Sequence, residues 1–244
     1  MVRYDITVHP DEPRYWAMWG LTLLGGLALL HAWRRWVPAE GPGRDRALRT
    51  LGVILLIGNT LLPGYQLITG EPAFTVHRSL PLHFCGLNYL LVAVNCFVRD
   101  PRIFTFSFFL GIIGGLHSFL TPQLTLGDAP FVLVEYCAKH GAIIFVPILM
   151  LREYGMRIPR GAVGWTYGAA AVLSFAVLGV NYVINTVWPH EVTANYMDVW
   201  EAPKVSNPLV RAEWGWPLYL APLHAALIAH LLLVNAAVRR WGPL

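Results

Sequence analysis

The sequence predicts an all-helical membrane protein, a bundle of seven transmembrane helices that forms a single domain over residues 1–244. Hydrophobic residues make up 56% of the chain and charged residues only 13%, about half the usual share of a globular protein. That charge is too little to cover the surface of a water-soluble domain of this length. Apolar segments also recur along the chain, each close to the roughly 20 residues that cross the hydrocarbon core of a bilayer.

Seven apolar segments fit a transmembrane length, and tryptophans mark many of their ends, as expected for side chains at headgroup depth. These tryptophans are Trp16, Trp36, Trp165, Trp188, Trp216 and Trp241. The predicted spans cover residues 15–36, 47–68, 80–98, 103–121, 130–151, 162–188 and 216–238.

The basic residues predict the orientation of the bundle. Twelve arginines lie in the loops after spans one, three and five and at the C-terminus, whereas five basic residues lie on the other side. The positive-inside rule then places the N-terminus outside and the C-terminus in the cytoplasm. Because the arginines that flank the spans explain the net charge of +4, the composition does not indicate a nucleic-acid partner.

The longest loop, residues 189–215, falls on the predicted outer side. It contains too many aromatic residues for a disordered linker, so we expect an ordered outer lid. The candidate lid or substrate-facing residues in and next to this loop are Asn195, Tyr196, Trp214 and Trp216.

The third span opens with the segment SLPLHFCGLN, which contains the first candidate catalytic group. Ser79 can cap this helix and Pro81 suits its first turn, which places Cys85 in the second turn. There the positive end of the helix dipole would favour a thiolate only weakly. Cys85 shares its helix face with Asn88, whereas His83 points to another face. From these residues alone, the thiol is either a nucleophile or a small buried packing group.

The fifth span contains EYCAKHG, which places ionisable groups inside a predicted bilayer segment. Glu135 and Lys139 are four residues apart with the acid first, the favourable order for a helical ion pair. Tyr136 and His140 have the same spacing. Because polar groups are costly in lipid, His140 indicates a function, while the ion pair has either a direct role or a role in ordering the bundle.

The histidines also raise the question of a metal site. His117 follows glycines that permit close helix contact, and it either lines a site or lies at the membrane interface. Together with His83, Cys85 and His140 it offers ligand types that zinc accepts. No two of these residues have the tight spacing on one helix face that makes a metal motif specific, so zinc is kept as an alternative and no cofactor is predicted.

Several segments resemble the YwaF-like integral membrane proteins of bacteria, a family that includes transmembrane protein 164. They are LPLHFCGL at 80–87, GGLHSFLTPQL at 114–124, the His140–Gly141 pair and NYMDVWEAPKVSNPLVRAEWGWPLYL at 195–220. The resemblance covers spans three to seven. The chain departs from the family pattern where Trp214-Gly215-Trp216-Pro217 replaces a Pro-Trp-Pro-Trp motif and where Lys204 follows Pro203 instead of preceding a proline.

The resemblance implies a cysteine acyltransferase or esterase that acts on phospholipids or fatty acyl esters in the bacterial inner membrane. Carried over to this chain, it makes Cys85 the nucleophile and His140 the base. The groups that would support or replace this pair are His83, His117, Asn88, Glu135, Tyr136 and Lys139. Two alternatives are a non-catalytic transporter or lipid-binding protein with a polar intramembrane pathway, and a zinc-dependent membrane hydrolase.

The distribution of basic residues gives a testable topology. A reporter that is active only in the cytoplasm should be active when fused to the C-terminus and inactive when fused to the N-terminus. The reciprocal reporter, active only outside the cytoplasm, serves as the control at both ends. Activity of that second reporter at the C-terminus would contradict the orientation.

Overall fold

The computed structural model of the protein describes residues 6–203 and 209–241. The described residues form seven helices and a two-stranded ribbon. In chain order the elements are β1 (Ile6–Thr7), α1 (Pro13–Trp36), α2 (Pro42–Thr69), α3 (Phe84–Val98), α4 (Pro101–Leu120), β2 (Gln123–Leu124), α5 (Pro130–Glu153), α6 (Ala162–Val187) and α7 (Leu220–Trp241). Short 3₁₀ turns cover Tyr196–Asp198 and Ala212–Trp214. Inferences that involve Arg3, Lys204 and the Trp241 side chain lie outside the described residues.

The prediction of an all-helical membrane protein is confirmed, with one difference in helix length. Six of the helices found in the described chain are long and apolar enough to cross a membrane. The exception is α3, an apolar helix of 15 residues. At ~1.5 Å per residue it measures ~22 Å, which is less than the ~30 Å of a bilayer core.

The predicted start of the third helix is wrong. The helix begins at Phe84, and residues 79–83 are not helical, so neither Ser79 nor Pro81 belongs to its first turn. As a result, Cys85 is the second residue of α3 instead of lying in the second turn. Its thiol therefore lies where the helix dipole acts most strongly.

Tyr196 explains why the segment before α3 is not helical. Its hydroxyl accepts a hydrogen bond from the Leu80 N–H at 3.0 Å and donates one to the Val76 carbonyl at 2.8 Å. The Ser79 hydroxyl accepts a bond from the Thr75 N–H at 3.1 Å. These bonds satisfy backbone groups that a helical turn would otherwise use.

The seventh helix also begins later than predicted, at Leu220 instead of residue 216. The preceding residues form a turn in which the Tyr219 N–H donates to the Gly215 carbonyl at 3.0 Å. Gly215 has a φ of 67°, a left-handed conformation that favours glycine.

The described chain divides into two compact units that the sequence did not distinguish. The first contains residues 6–73 and 85–158, and the second contains residues 74–84 and 159–241. The first unit therefore holds both β-strands and helices α1 to α5, while the second holds α6, α7 and the loop between them.

Helices α1 and α5 run parallel in the first unit, with an ion pair near each end. Arg14 pairs with Asp128 at 2.8 Å where the helices begin, and Arg34 pairs with Glu153 at 2.7 Å where they end. Between these pairs, Gly26 lies directly against the ring of Phe145.

Helices α2, α3 and α4 complete an alternating arrangement in the first unit. Arg99, just after α3, pairs with Asp45 at the start of α2 at 2.9 Å, so these two helices are antiparallel. Cys85 at the start of α3 lies against Gly114 near the end of α4, which makes that pair antiparallel too. The beginnings of α1, α3 and α5 therefore lie at one end of this unit, and their last turns lie at the other.

In the second unit, two asparagines of α6 hold the loop that follows it. The Asn181 amide accepts from the Tyr196 N–H at 3.1 Å and donates to the Tyr196 carbonyl at 3.0 Å. Asn185, one turn later, bonds the N–H and carbonyl of Ala194 in the same way, at 2.7 and 3.1 Å. These side chains satisfy backbone groups of the loop that have no partner in a regular element.

The next part of this loop is a tight turn built around Asn195 and Asp198. The Asn195 side chain accepts from the N–H groups of Trp200 and Glu201 at 3.0 and 2.9 Å. Asp198 has a φ of 52°, and its carbonyl accepts a hydrogen bond from the Tyr219 hydroxyl at 2.8 Å. Burial raises the pKa of Asp198 from 3.8 to about 7.

This raised pKa predicts that the loop becomes less stable as pH rises. The folded loop binds the Asp198 proton more tightly than the unfolded chain, so its stability should fall between about pH 4 and pH 7. Asp198→Asn should remove this dependence. Hydrogen exchange across residues 194–201, corrected for intrinsic rates, would measure the effect at pH 5 and pH 8.

Glu213→Gln is the matched control, because the Glu213 side chain is 64% exposed. It should leave the pH dependence unchanged. An unchanged pH dependence in Asp198→Asn would contradict the assignment, and uniformly rapid exchange in the loop would contradict the expectation that it is ordered.

Candidate functional site

Glycines on α4 permit the close helix contacts that form the candidate site of the first unit. A side chain at Gly111 would overlap the backbone carbonyl of Ile143, and one at Gly115 would overlap the side chain of Ile144. Both contacts bring α5 close to α4. On the α3 side, a β-carbon at Gly114 would lie 3.5 Å from the Cys85 sulfur. Three helices therefore approach one another at a short stretch of α4.

Cys85 lies at this convergence with its thiol half-buried. It occupies the first turn of α3, where backbone N–H groups have no intrahelical acceptor and the helix end carries a partial positive charge. The thiol also interacts electrostatically with Lys139 and with Tyr136, both on α5. Burial disfavours a thiolate, and the positive helix end and the nearby ammonium group offset part of that cost.

His140 is buried on α5 with an exposed fraction of 7%. Its Nδ1 atom lies 2.8 Å from the Tyr136 carbonyl oxygen. A carbonyl can only accept a hydrogen bond, so Nδ1 carries the proton and Nε2 keeps its lone pair. The ring packs against Tyr136 with centroids 4.1 Å apart and a tilt of 40°, which restricts its orientation. His140 is therefore held in the tautomer that a general base requires.

Tyr136 connects α5 to α4 beside these groups. Its hydroxyl donates a 2.7 Å hydrogen bond to the carbonyl of Ser118. Phe119 packs edge-on against both Tyr136 and His140, with centroid distances of 6.1 and 6.0 Å. The sequence indicated Tyr136 but not Ser118 or Phe119, although both belong to the GGLHSFLTPQL segment.

Glu135 and Lys139 form the predicted ion pair, at 2.5 Å. Their side chains are only 11% and 17% exposed. Lys139 also lies 5.8 Å from the centre of the Tyr89 ring on α3, a cation–π arrangement that the sequence did not predict. The ammonium group thus lies near a carboxylate and an aromatic ring, and it acts electrostatically on the Cys85 thiol.

Asn88 lies one turn after Cys85 and is almost fully buried. Its amide nitrogen donates to the Ser107 carbonyl on α4 at 3.2 Å. This bond gives Asn88 a role in holding α3 against α4. The second hydrogen of the Asn88 amide is a candidate hydrogen-bond donor at the site.

The two reserve histidines have different surroundings. His117 lies in the last turn of α4, three residues after Gly114, and its carbonyl accepts the Thr121 N–H at 3.0 Å. His83 precedes α3, and its Nδ1 accepts a hydrogen bond from the Met197 N–H at 3.2 Å. The lone pair of neutral His83 is therefore already engaged, which makes this residue a poor base.

The lid candidates divide into two groups in the second unit. Tyr196 is fully buried, and Asn195 bonds to the backbone of its own turn, so both shape the loop. The indole rings of Trp214 and Trp216 are 51% and 60% exposed, respectively. Exposed indoles of this kind suit contact with lipid headgroups.

Residues 6–203 and 209–241 contain no set of side chains that could bind zinc, as the zinc alternative would require. No three His, Cys, Asp or Glu side chains in this part of the chain come together in a way that could hold a metal ion. The candidate zinc ligands His83, Cys85, His117 and His140 therefore do not form one centre.

The Glu135–Lys139 pair gives a stability prediction. An unpaired charge at this depth costs about 3 kcal/mol on insertion scales. Glu135→Ala or Lys139→Ala alone should therefore lower the melting temperature in detergent more than the double replacement does. A double variant that melts below both single variants would show that the pair is not coupled.

Comparison with known proteins places the chain in a family. No curated protein and no solved structure matches the chain. A model of the TMEM164 family matches residues 8–235, which confirms the resemblance to transmembrane protein 164, whereas the YwaF-like name stays a resemblance. Because this match covers most of the 244 residues and extends from before α1 into α7, the chain belongs to the TMEM164 family.

Proposed function

We propose that this membrane protein is a lipid acyltransferase or lipid esterase that carries an acyl group as a thioester on Cys85. The observation that carries the proposal is the meeting of α3, α4 and α5 at the α4 glycines. It brings the Cys85 thiol close to α5. This helix holds His140 in the tautomer of a general base and carries Lys139 as a nearby cation.

In the first half-reaction, Nε2 of His140 takes the proton of the Cys85 thiol. The thiolate attacks the carbonyl carbon of a lipid ester and forms a C–S bond. The tetrahedral oxyanion is stabilised by backbone N–H groups in the first turn of α3, by the Asn88 amide, or by both. Cleavage of the C–O bond releases the lysolipid alkoxide, which takes the proton from His140.

In the second half-reaction, His140 removes a proton from an acceptor hydroxyl. The resulting nucleophile attacks the thioester, and cleavage of the C–S bond returns Cys85 as a thiolate that regains the proton from His140. A lipid alcohol as acceptor gives acyl transfer, and water gives hydrolysis. Lys139 stabilises the thiolate at both stages, while Glu135 keeps the buried ammonium compensated.

The substrate is a membrane lipid with a fatty acyl ester, because the site lies within a bundle of apolar helices. With the orientation predicted from the basic residues, the beginnings of α1, α3 and α5 face the outer leaflet. The site then receives lipids from outside, at the plasma membrane of a bacterial cell.

A second candidate function is lipid binding or transport without chemistry. An apolar groove of about 300 Å³ between α1, α2 and α5 favours it. Small residues widen this groove, among them Gly25, Gly26, Ala138 and Gly141. A groove of this composition can hold an acyl chain.

Acyl chemistry on Cys85 can be tested directly. Purified protein incubated with phospholipid should carry an acyl group on Cys85 that hydroxylamine removes, detectable by mass spectrometry. Cys85→Ser should lose acyl release by ~10³-fold or more, and His140→Ala by ~10²–10⁴-fold, with both variants still folded.

Cys96→Ser is the matched control. Cys96 is a buried cysteine later in α3 whose only described bond is to the Val92 carbonyl, an acceptor that serine can also reach. This variant should retain full activity. If wild-type protein binds lipid but forms no adduct and releases no acyl group, the lipid-binding function replaces the enzymatic one.

A further inference from the structure

A second candidate site lies at the end of the first unit opposite to Cys85. Cys85 begins α3, at the end of this unit where α1 and α5 also begin. A pocket of about 240 Å³ lies at the other end, between the last turns of α1 and α5. The residues that line it are Leu27, Leu30, His31, Arg34, Arg152 and Glu153. None of them takes part in the proposed acyl chemistry.

The pocket has more positive than negative charge. Glu153 is its only acid, and it is shared between two arginines, Arg34 at 2.7 Å and Arg44 at 3.8 Å. Arg152 makes no hydrogen bond or ion pair with any described residue. A second negative group would therefore find an uncompensated guanidinium at this pocket.

Arg34 has hydrogen-bonding capacity that Glu153 does not use. It reaches the carboxylate through Nε alone, and its two terminal amino groups have no acceptor in the described chain. Guanidinium groups of this kind bind phosphate oxygens in a fork geometry. The pocket thus combines Arg152, whose guanidinium group has no partner among the described residues, with Arg34, whose guanidinium group is only partly used.

The wall of the pocket on α1 continues as an apolar stripe. Leu23, Leu27, Leu30 and Arg34 follow one another at spacings of four, three and four residues, so they share one helix face. Leu23 and Leu27 are 45% and 57% exposed. An apolar stripe that ends in cations matches the shape of a phospholipid, with its acyl chain along the leucines and its phosphate at the arginines.

We propose that this pocket binds an anionic phospholipid through its phosphate, with one acyl chain along the leucine stripe. Basic pockets between transmembrane helices recognise such headgroups. A headgroup without a cation of its own leaves its charge available for Arg152, whereas the ammonium group of a zwitterionic lipid would be repelled there. The predicted orientation places the site in the cytoplasmic leaflet.

The experiment uses the full chain in neutral detergent and measures binding of phosphatidylglycerol and phosphatidylcholine by native mass spectrometry. We expect wild-type protein to bind phosphatidylglycerol more tightly. Arg152→Gln should weaken that binding about fivefold, as expected for one arginine at a charged lipid surface. Because Arg152 makes no bond to any residue in 6–203 or 209–241, this variant should keep the wild-type melting temperature.

Arg49→Gln is the matched control, because it removes the same charge from an exposed residue of α2 outside the pocket. It should bind phosphatidylglycerol like the wild type. Equal losses in both variants would overturn the proposal in favour of a diffuse surface charge. Equal binding of both lipids, or equally tight binding of soluble glycerol 3-phosphate, would overturn the assignment to an anionic phospholipid.

Discussion

The close approach of α4 to its two neighbours is the constraint on which the candidate site depends. Membrane helices gain little from hydrophobic association, since lipid is as apolar as their side chains, so small residues that permit backbone contact decide how they pack. At Gly111 the neighbour is the backbone of α5, and at Gly114 it is the thiol of Cys85. A side chain at Gly111 would overlap the Ile143 carbonyl and force α4 and α5 apart, whereas a β-carbon at Gly114 would be in ordinary contact with the Cys85 sulfur.

Several polar side chains in each unit are paired within one helix or with one loop residue, which lowers the cost of holding them in an apolar chain. Glu135 and Lys139 neutralise each other within one helix. The side-chain amide of Asn181 both donates to and accepts from the backbone of one loop residue, and the amide of Asn185 does the same with another. Each arrangement avoids the cost of an unpaired polar group in a low-dielectric environment.

The sequence predicted the helices because an apolar segment of sufficient length has few alternatives in a bilayer, and it predicted the Glu135–Lys139 pair because that contact is local. It placed the start of α3 wrongly because the deciding contact is not local: Tyr196, which bonds to Leu80 and Val76, is more than 100 residues away in the chain. The same limit applies to Cys85 and Gly114, whose contact depends on how α3 packs against α4.

His83 and His140 differ in which ring nitrogen of the neutral imidazole carries the free lone pair. His83 accepts a backbone N–H through Nδ1, so in its neutral form the second nitrogen carries a proton and cannot serve as a base. His140 donates from Nδ1 to a carbonyl, so Nε2 can accept a proton. Protonation of His83 would break its bond to Met197, whereas protonation of His140 at Nε2 leaves the bond to Tyr136 intact and strengthens it. A base must gain and lose a proton in each cycle without disturbing its own support, and of these two residues His140 meets that requirement.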